Sequence, residues 1–166
     1  MDKTEIIEIL NDWNYWNKPL PVTHERPLYD SKISSLMKYD EVLVIKGIRR
    51  SGKSTLMINQ IKNLLKNGIN KNEILYVNFE DPRLINHLSL EFLQTIKDVY
   101  LEYLNPQAKS YIFLDEIQNI PSWEKWVNKE YELKLSNLTI SGSNSSMLSS
   151  EIASALSGRY LSIDVY

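Results

Sequence analysis

Short, continuously apolar runs alternate along the chain with segments whose apolar residues recur every three or four positions, and this alternation predicts strands between helices. Ile6, Ile7, Leu10, Trp13, Tyr15 and Trp16 recur at roughly helical spacing, so a helix is expected over 3–17. Lys18-Pro19-Leu20-Pro21 ends it, because proline lacks the amide donor a helix interior needs. A short helix is expected over 31–39. Val42-Leu43-Val44-Ile45 is apolar and largely β-branched, the pattern of a strand buried on both faces. Ser54 to Asn67 then reads as an amphipathic helix closed by Gly68.

The same alternation continues. Strands are expected at Ile74–Phe79, Tyr111–Leu114, Leu138–Ile140 and Tyr160–Tyr166, with helices at 89–104, 123–131 and 149–156. Asp81-Pro82 reads as a helix cap followed by a first-turn proline. Helices between successive strands imply an α/β fold with a parallel sheet covered on both faces. We expect an N-terminal helix and linker over 1–30 and one core domain over 31–166. The last residues alternate like a strand in progress, so a longer parent protein is expected.

Composition narrows the class. The chain has 166 residues, 43% hydrophobic and 24% charged, as in an ordinary folded domain. A net charge of −2 argues against a surface built wholly for nucleic acid, while leaving room for a local basic patch. With no cysteine, disulfides and thiolate metal sites are excluded. The acidic residues Asp2, Glu5 and Glu8 do not fit a secretory leader, and no apolar run reaches the ~20 residues of a membrane span, so a cytoplasmic protein without membrane partners is expected.

Four segments carry chemistry. Gly47-Ile48-Arg49-Arg50-Ser51-Gly52-Lys53-Ser54 has the spacing of a phosphate-cradling loop between a buried strand and a helix. Its glycines let the backbone wrap phosphate, Lys53 would reach the β- and γ-phosphates, and the Ser54 hydroxyl would ligate Mg2+. Arg49 and Arg50 either contact phosphate or stay in solvent. Tyr111-Ile112-Phe113-Leu114-Asp115-Glu116 ends a buried strand on two acids, at the edge where parallel sheets bind ligands. There Asp115 would hold the Mg2+ shell and Glu116 would polarise an attacking water. In Thr139-Ile140-Ser141-Gly142-Ser143-Asn144, Ser143 and Asn144 are both candidates to bond that water or the γ-phosphate. Gly158-Arg159 offers an arginine that either stabilises phosphoryl charge, within its own subunit or in a neighbour, or forms a structural ion pair. Arg26 and Tyr29, in the segment before the first core strand, either pack on a base or belong to a plain linker. No guanine-reading Asn/Thr-Lys-x-Asp segment is present, which favours ATP.

The residues Gly47-Ile48-Arg49-Arg50-Ser51-Gly52-Lys53-Ser54-Thr55-Leu56 are followed by Leu114-Asp115-Glu116-Ile117-Gln118 with Pro121-Ser122-Trp123-Glu124. Gly142-Ser143-Asn144-Ser145 and Leu156-Ser157-Gly158-Arg159 come next. This series resembles an AAA-type P-loop ATPase, and more narrowly the AAA domain of a prokaryotic family of predicted ATPases that carries a C-terminal domain of unknown function. The resemblance covers residues 26–166 and adds Thr55 to the phosphate loop. It implies a five-stranded parallel sheet in order 5-1-4-3-2, with the Asp115 and Asn144 strands beside the Lys53 loop. It also implies a helical lid and a further domain beyond Tyr166. The expected activity is Mg2+-dependent ATP hydrolysis that drives or regulates that domain, with homo-oligomerisation through an arginine finger. A nucleotide-dependent switch or scaffold with negligible turnover is the alternative, and Glu116 favours hydrolysis. A small-molecule kinase would need an arginine-rich lid between the third and fourth strands, where this chain has Trp123, Trp126 and Tyr131.

Overall fold

Strand pairing sets the arrangement of everything else. The computed structural model describes residues 1–143 and 149–166, with 149–151 described by their backbone alone. Among the described residues the strands are β1 (Val42–Gly47), β2 (Ile74–Asn78), β3 (Ser110–Asp115), β4 (Ser136–Ser143) and β5 (Tyr160–Val165). They form one sheet in the order β2-β3-β4-β1-β5, with every neighbouring pair parallel, as the resemblance implied. Parallel pairing collects the C-terminal ends of the strands on one edge. Gly47 therefore lies beside Ser143 and Val165, and Asn78 beside Asp115.

The helices are α1 (Lys3–Trp13), α2 (Pro27–Leu36), α3 (Lys53–Lys66), α4 (Leu90–Leu104), α5 (Trp123–Glu132) and α6 (Ser149–Ala155). Side chains alternate between the faces of a strand, and β1 shows where each face goes. Val42 and Val44 join a core that includes Ile9 and Leu10 of α1, Leu93 and Ile96 of α4, and Val127 of α5. Leu43 and Ile45 join a second core with Ile33 of α2 and Leu56, Met57 and Ile61 of α3. Fully burying one such side chain stabilises the fold by about 1.5–3 kcal/mol. Among the described residues, no helix is long and apolar enough to cross a membrane.

The helix expected over 3–17 stops at Trp13 because Asn14 is needed elsewhere. Asn14 leaves helical geometry and turns its amide onto β2, the edge strand of the sheet. Its Nδ2 donates to the Tyr76 carbonyl at 2.8 Å, and the Tyr76 N–H donates to its Oδ1 at 2.7 Å. One side chain thus imitates a neighbouring strand residue. Trp16 Nε1 adds a bond to the Ile74 carbonyl at 2.9 Å. A bare strand edge invites pairing with other chains, and these side chains cover this one. The N-terminal helix and linker expected over 1–30 accordingly supply Ile6, Ile9, Leu10 and Trp16 to the core.

Asp81-Pro82 does not cap a helix. Asp81 starts a turn in which the Leu84 N–H reaches its carbonyl, and its carboxylate accepts from Arg83 and from Trp13 Nε1. The Arg83 hydrogen bonds, ahead of other contacts, hold the Asp81 carboxyl below its usual range. Ser89 caps α4 instead, its hydroxyl accepting from the Phe92 N–H at 3.0 Å.

Replacing the buried Asn14 tests the edge cover. Asn14→Ala strands both backbone polar groups of Tyr76, each worth about 1–3 kcal/mol when left unpaired. Urea unfolding should show a loss of about 2–4 kcal/mol; a loss below about 0.5 kcal/mol would mean that Asn14 does not hold the edge.

Candidate functional site

The C-terminal edge of the sheet gathers most of the expected residues. β1 ends at Gly47, where a Cβ would meet Ser51 Oγ at 2.6 Å and the Val165 carbonyl at 2.7 Å, so no side chain fits. The loop then turns through left-handed backbone at Arg50 (φ 63°) and Gly52 (φ 95°). α3 begins at Lys53 with no side-chain cap. Its first-turn N–H groups and the positive end of its dipole therefore face the loop's concavity, the usual setting for an anion.

Lys53 is buried and folded back on this loop. Its Nζ donates to the carbonyls of Gly47 and Ile48, each at 2.9 Å, and lies 3.5 Å from Glu116 Oε1. A buried ammonium needs such partners, because desolvation otherwise disfavours it strongly. Ser51 Oγ is buried and has no hydrogen-bond partner among the described residues. Arg26 holds the loop from outside: Nη1 donates to the Ser51 carbonyl at 2.6 Å and Nη2 to the Tyr166 carbonyl at 3.2 Å. Its guanidinium lies over the Tyr29 ring, 4.4 Å from the centroid. Arg26 therefore supports the phosphate loop directly.

Asp115, at the end of β3, is completely buried. One carboxylate oxygen accepts from Ser54 Oγ at 2.5 Å and from the Tyr76 hydroxyl; the other accepts from the Ser141 hydroxyl. Burial, with the Asp115 carboxylate beside it, pushes the Tyr76 phenol far above its ordinary range, so it stays a donor. Ser141 Oγ also accepts the Glu116 N–H at 2.9 Å. Glu116 has left-handed backbone (φ 55°, ψ 48°), which turns the chain sharply out of β3. Its Oε2 accepts from Gln118 Nε2 at 2.7 Å.

Two adjoining clefts open over these groups. One, of about 430 Å³, is lined by Arg49, Arg50, Gly52, Lys53, Ser54, Thr55, Glu80 and Glu116. The other, of about 460 Å³, runs past Glu116 and Gln118 to Ser143. Arg49 pairs with Glu80 at 3.1 Å across the mouth. Among the described residues no cluster of three His, Cys, Asp or Glu side chains could hold a metal alone. Ser54 and Asp115 supply two hard oxygen donors at bonding distance of each other. That set suits Mg2+, which takes one or two protein oxygens and completes its shell with phosphate and water.

The structure thus brings Gly47, Arg49, Arg50, Ser51, Gly52, Lys53, Ser54, Thr55, Asp115, Glu116 and Ser143 to one edge. Asn144 lies outside the described residues. Arg159 is elsewhere: it precedes Tyr160, which pairs with Val42 at the start of β1, whereas Gly47 pairs with Val165. Five strand steps of about 3.3 Å separate those ends, roughly 17 Å. There Arg159 pairs with Glu132 and lies near the Tyr131 ring. Arg159 thus sits on the far edge of the sheet, in an ion pair of the kind that was one of the alternatives for it. Sequence reasoning missed Tyr76 and Ser141. A tyrosine and a serine inside buried strands are the available signal, since their polar atoms need partners.

Tyr76→Phe tests the grip on Asp115. A hydrogen bond to a charged group contributes about 1.5–3 kcal/mol, so denaturant unfolding should show a loss of that size. Unchanged stability would remove Tyr76 from the group that holds Asp115.

A family model described as an AAA domain matches residues 39–166. An uncharacterized protein of Haemophilus influenzae is 35% identical over 142 residues, covering 85% of this chain and 35% of that protein. The uncharacterized protein MJ1544 of Methanocaldococcus jannaschii is 36% identical over 126 residues, covering 76% of this chain and 26% of that one. The chain therefore spans about a third or less of the length of these curated relatives. Among solved structures, a DNA polymerase III gamma subunit-related protein of Thermotoga maritima superposes with a TM-score of 0.57 at 14% identity, over 83% of this chain and 46% of its own. PCH-2 of C. elegans gives 0.55 at 14% identity, over 98% of this chain and 45% of its own. AMPPCP-bound DnaA from Aquifex aeolicus gives 0.51 at 14% identity, over 84% and 44%. At such identities these structures speak for a common P-loop NTPase fold.

Proposed function

The chain belongs to the AAA domain family, and on that premise we propose that it binds ATP with Mg2+ and hydrolyses it to ADP and phosphate. The observation that carries this reading is the convergence of Lys53, Ser54 and Glu116 on one cleft, with the buried Asp115 bonded to Ser54 behind it. In this reading the Gly47–Ser54 backbone and the α3 N-terminus take the β- and γ-phosphates. Lys53 exchanges the Gly47 and Ile48 carbonyls for phosphate oxygens, a stronger charge-assisted contact. Ser54 and Asp115 would hold Mg2+, which neutralises phosphate charge when bound. Glu116, released from Lys53, accepts a proton from a water in the cleft. The water oxygen forms its bond to the γ-phosphorus as the bond to the β,γ-bridging oxygen breaks, and the leaving electron pair stays on ADP.

The much greater length of the relatives supports a wider role, in which turnover drives or regulates another part of the protein. Arg159, half-buried on the far edge, suits a finger supplied to a neighbouring subunit of a homo-oligomer better than one acting at its own site.

Two variants separate binding from chemistry. Lys53→Ala should abolish or severely weaken Mg-ATP binding in calorimetry, and unchanged affinity would remove the phosphate-loop reading. Glu116→Gln should bind ATP but lose about 10²–10⁴ in turnover, because an amide cannot take the proton. A parent rate in that variant would favour the switch or scaffold reading, with no role for Glu116 in turnover.

The finger is tested by mixing subunits in the full-length protein. Arg159→Ala should cut turnover far more than affinity, by up to about 10³–10⁵. Mixing it with Glu116→Gln subunits should recover activity at interfaces that keep both groups. No recovery, with a monomeric protein in sedimentation, would leave Arg159 as a structural residue.

A further inference from the structure

We propose that Gln118 is the positioning residue that keeps Glu116 aimed at the attacking water, an inference that rests on the hydrolysis reading above. Glu116 follows the end of β3 and is buried, its backbone fixed from several sides. Its N–H donates to Ser141 Oγ at 2.9 Å, and its carbonyl accepts from Asn119 Nδ2 at 3.0 Å. The carboxylate itself is held by two donors of different kinds. Oε1 faces the Lys53 ammonium at 3.5 Å, and Oε2 accepts from Gln118 Nε2 at 2.7 Å.

These two donors cannot both persist through a turnover. Lys53 sits in the phosphate loop and is drawn to a phosphate when ATP arrives. Gln118 lies on the short 3-10 turn Ile117–Asn119, anchored by the fully buried Ile117, and has no phosphate to move to. Once Lys53 leaves, the Gln118 amide is what remains on the carboxylate. Being neutral, it orients Glu116 without neutralising it, as a second lysine or arginine would.

The other end of the amide carries the second observation. Gln118 Oε1 is buried and has no hydrogen-bond partner among the described residues, and such atoms are uncommon in folded proteins. Turning the amide over would set oxygen against the Glu116 carboxylate, two acceptors face to face, so the orientation is fixed by chemistry. Gln118 lines the same cleft as Glu116 and Ser143. Held this way, Glu116 keeps Oε1 for a water in that cleft once Lys53 has left it.

The experiment compares steady-state turnover, Mg-ATP affinity and thermal melting in the full-length protein. The variants are Gln118→Ala, the uncharged Gln118→Met of similar length, Glu116→Gln, and the double variant Glu116→Gln with Gln118→Ala. Misplacing a reacting group by about 1 Å costs about 10²-fold, so both Gln118 variants should lose about 10- to 100-fold in kcat. Affinity should stay within about threefold, under 1 kcal/mol. The double variant should turn over no more slowly than Glu116→Gln alone, because a residue that works through Glu116 has nothing left to position. Parent kcat in both Gln118 variants, with Glu116→Gln inactive, overturns the inference and leaves the hydrolysis reading standing. So does a Gln118 loss that appears in affinity, or that adds to the Glu116→Gln loss. A parent rate in Glu116→Gln overturns the hydrolysis reading and the inference with it. If thermal melting shows that Gln118→Ala does not fold, Gln118→Met decides by the same criteria.

Discussion

A buried carboxylate with no cation beside it must be satisfied by hydrogen bonds, and Asp115 meets that demand with hydroxyls. Ser54 comes from α3, Tyr76 from β2 and Ser141 from β4, so one side chain ties the phosphate-loop helix to three adjacent strands. Leaving such a group unpaired would cost several kcal/mol, and this cost fixes where those elements meet. The positions of Lys53 and Glu116 follow. Ser54 on Asp115 sets the first turn of α3, and Ser141, shared between Asp115 and the Glu116 N–H, sets the turn out of β3.

The charged groups of the site are therefore satisfied by one another and by the fold. Lys53 occupies loop carbonyls and the Glu116 carboxylate, and Ser54 occupies Asp115. ATP and Mg2+ would offer each of these groups a stronger partner, so the ligands compete with the fold's own hydrogen bonds. The arrangement explains how the site keeps a buried ammonium and two acids together. In the proposed reaction it would link arrival of the γ-phosphate to release of Glu116 through a single side chain. Arg26, gripping the Ser51 carbonyl and resting on Tyr29, holds the loop's outer face.

Much of this was legible in the chain because it is local. Continuous apolar runs gave away the strands, and the spacing from Gly47 to Ser54 gave away the loop. Asp115 and Glu116 stand where an apolar run ends. What stayed hidden depends on contacts distant in sequence. Ser141 shares a segment with Ser143 and Asn144, but the chain does not show that β4 runs on to Ser143. Ser141 then lies two residues back on the same face, deep enough to reach Asp115. Tyr76 reads as one more apolar residue of β2 until its hydroxyl is seen on Asp115. Asn14 reads as part of a helix until the sheet edge it covers is in place. Arg159 reads equally as a phosphoryl-stabilising arginine or a structural ion pair until the parallel register of β5 places it at the opposite edge, paired with Glu132.

The most direct test of this account is a crystal structure with Mg2+ and a non-hydrolysable ATP analogue. The account predicts the phosphates within the Gly47–Ser54 loop. It predicts Lys53 Nζ moved from the Gly47 and Ile48 carbonyls to phosphate oxygens, and Ser54 Oγ moved from Asp115 to the metal. An analogue bound away from this loop, or bound there with Lys53 still on both carbonyls, would contradict it.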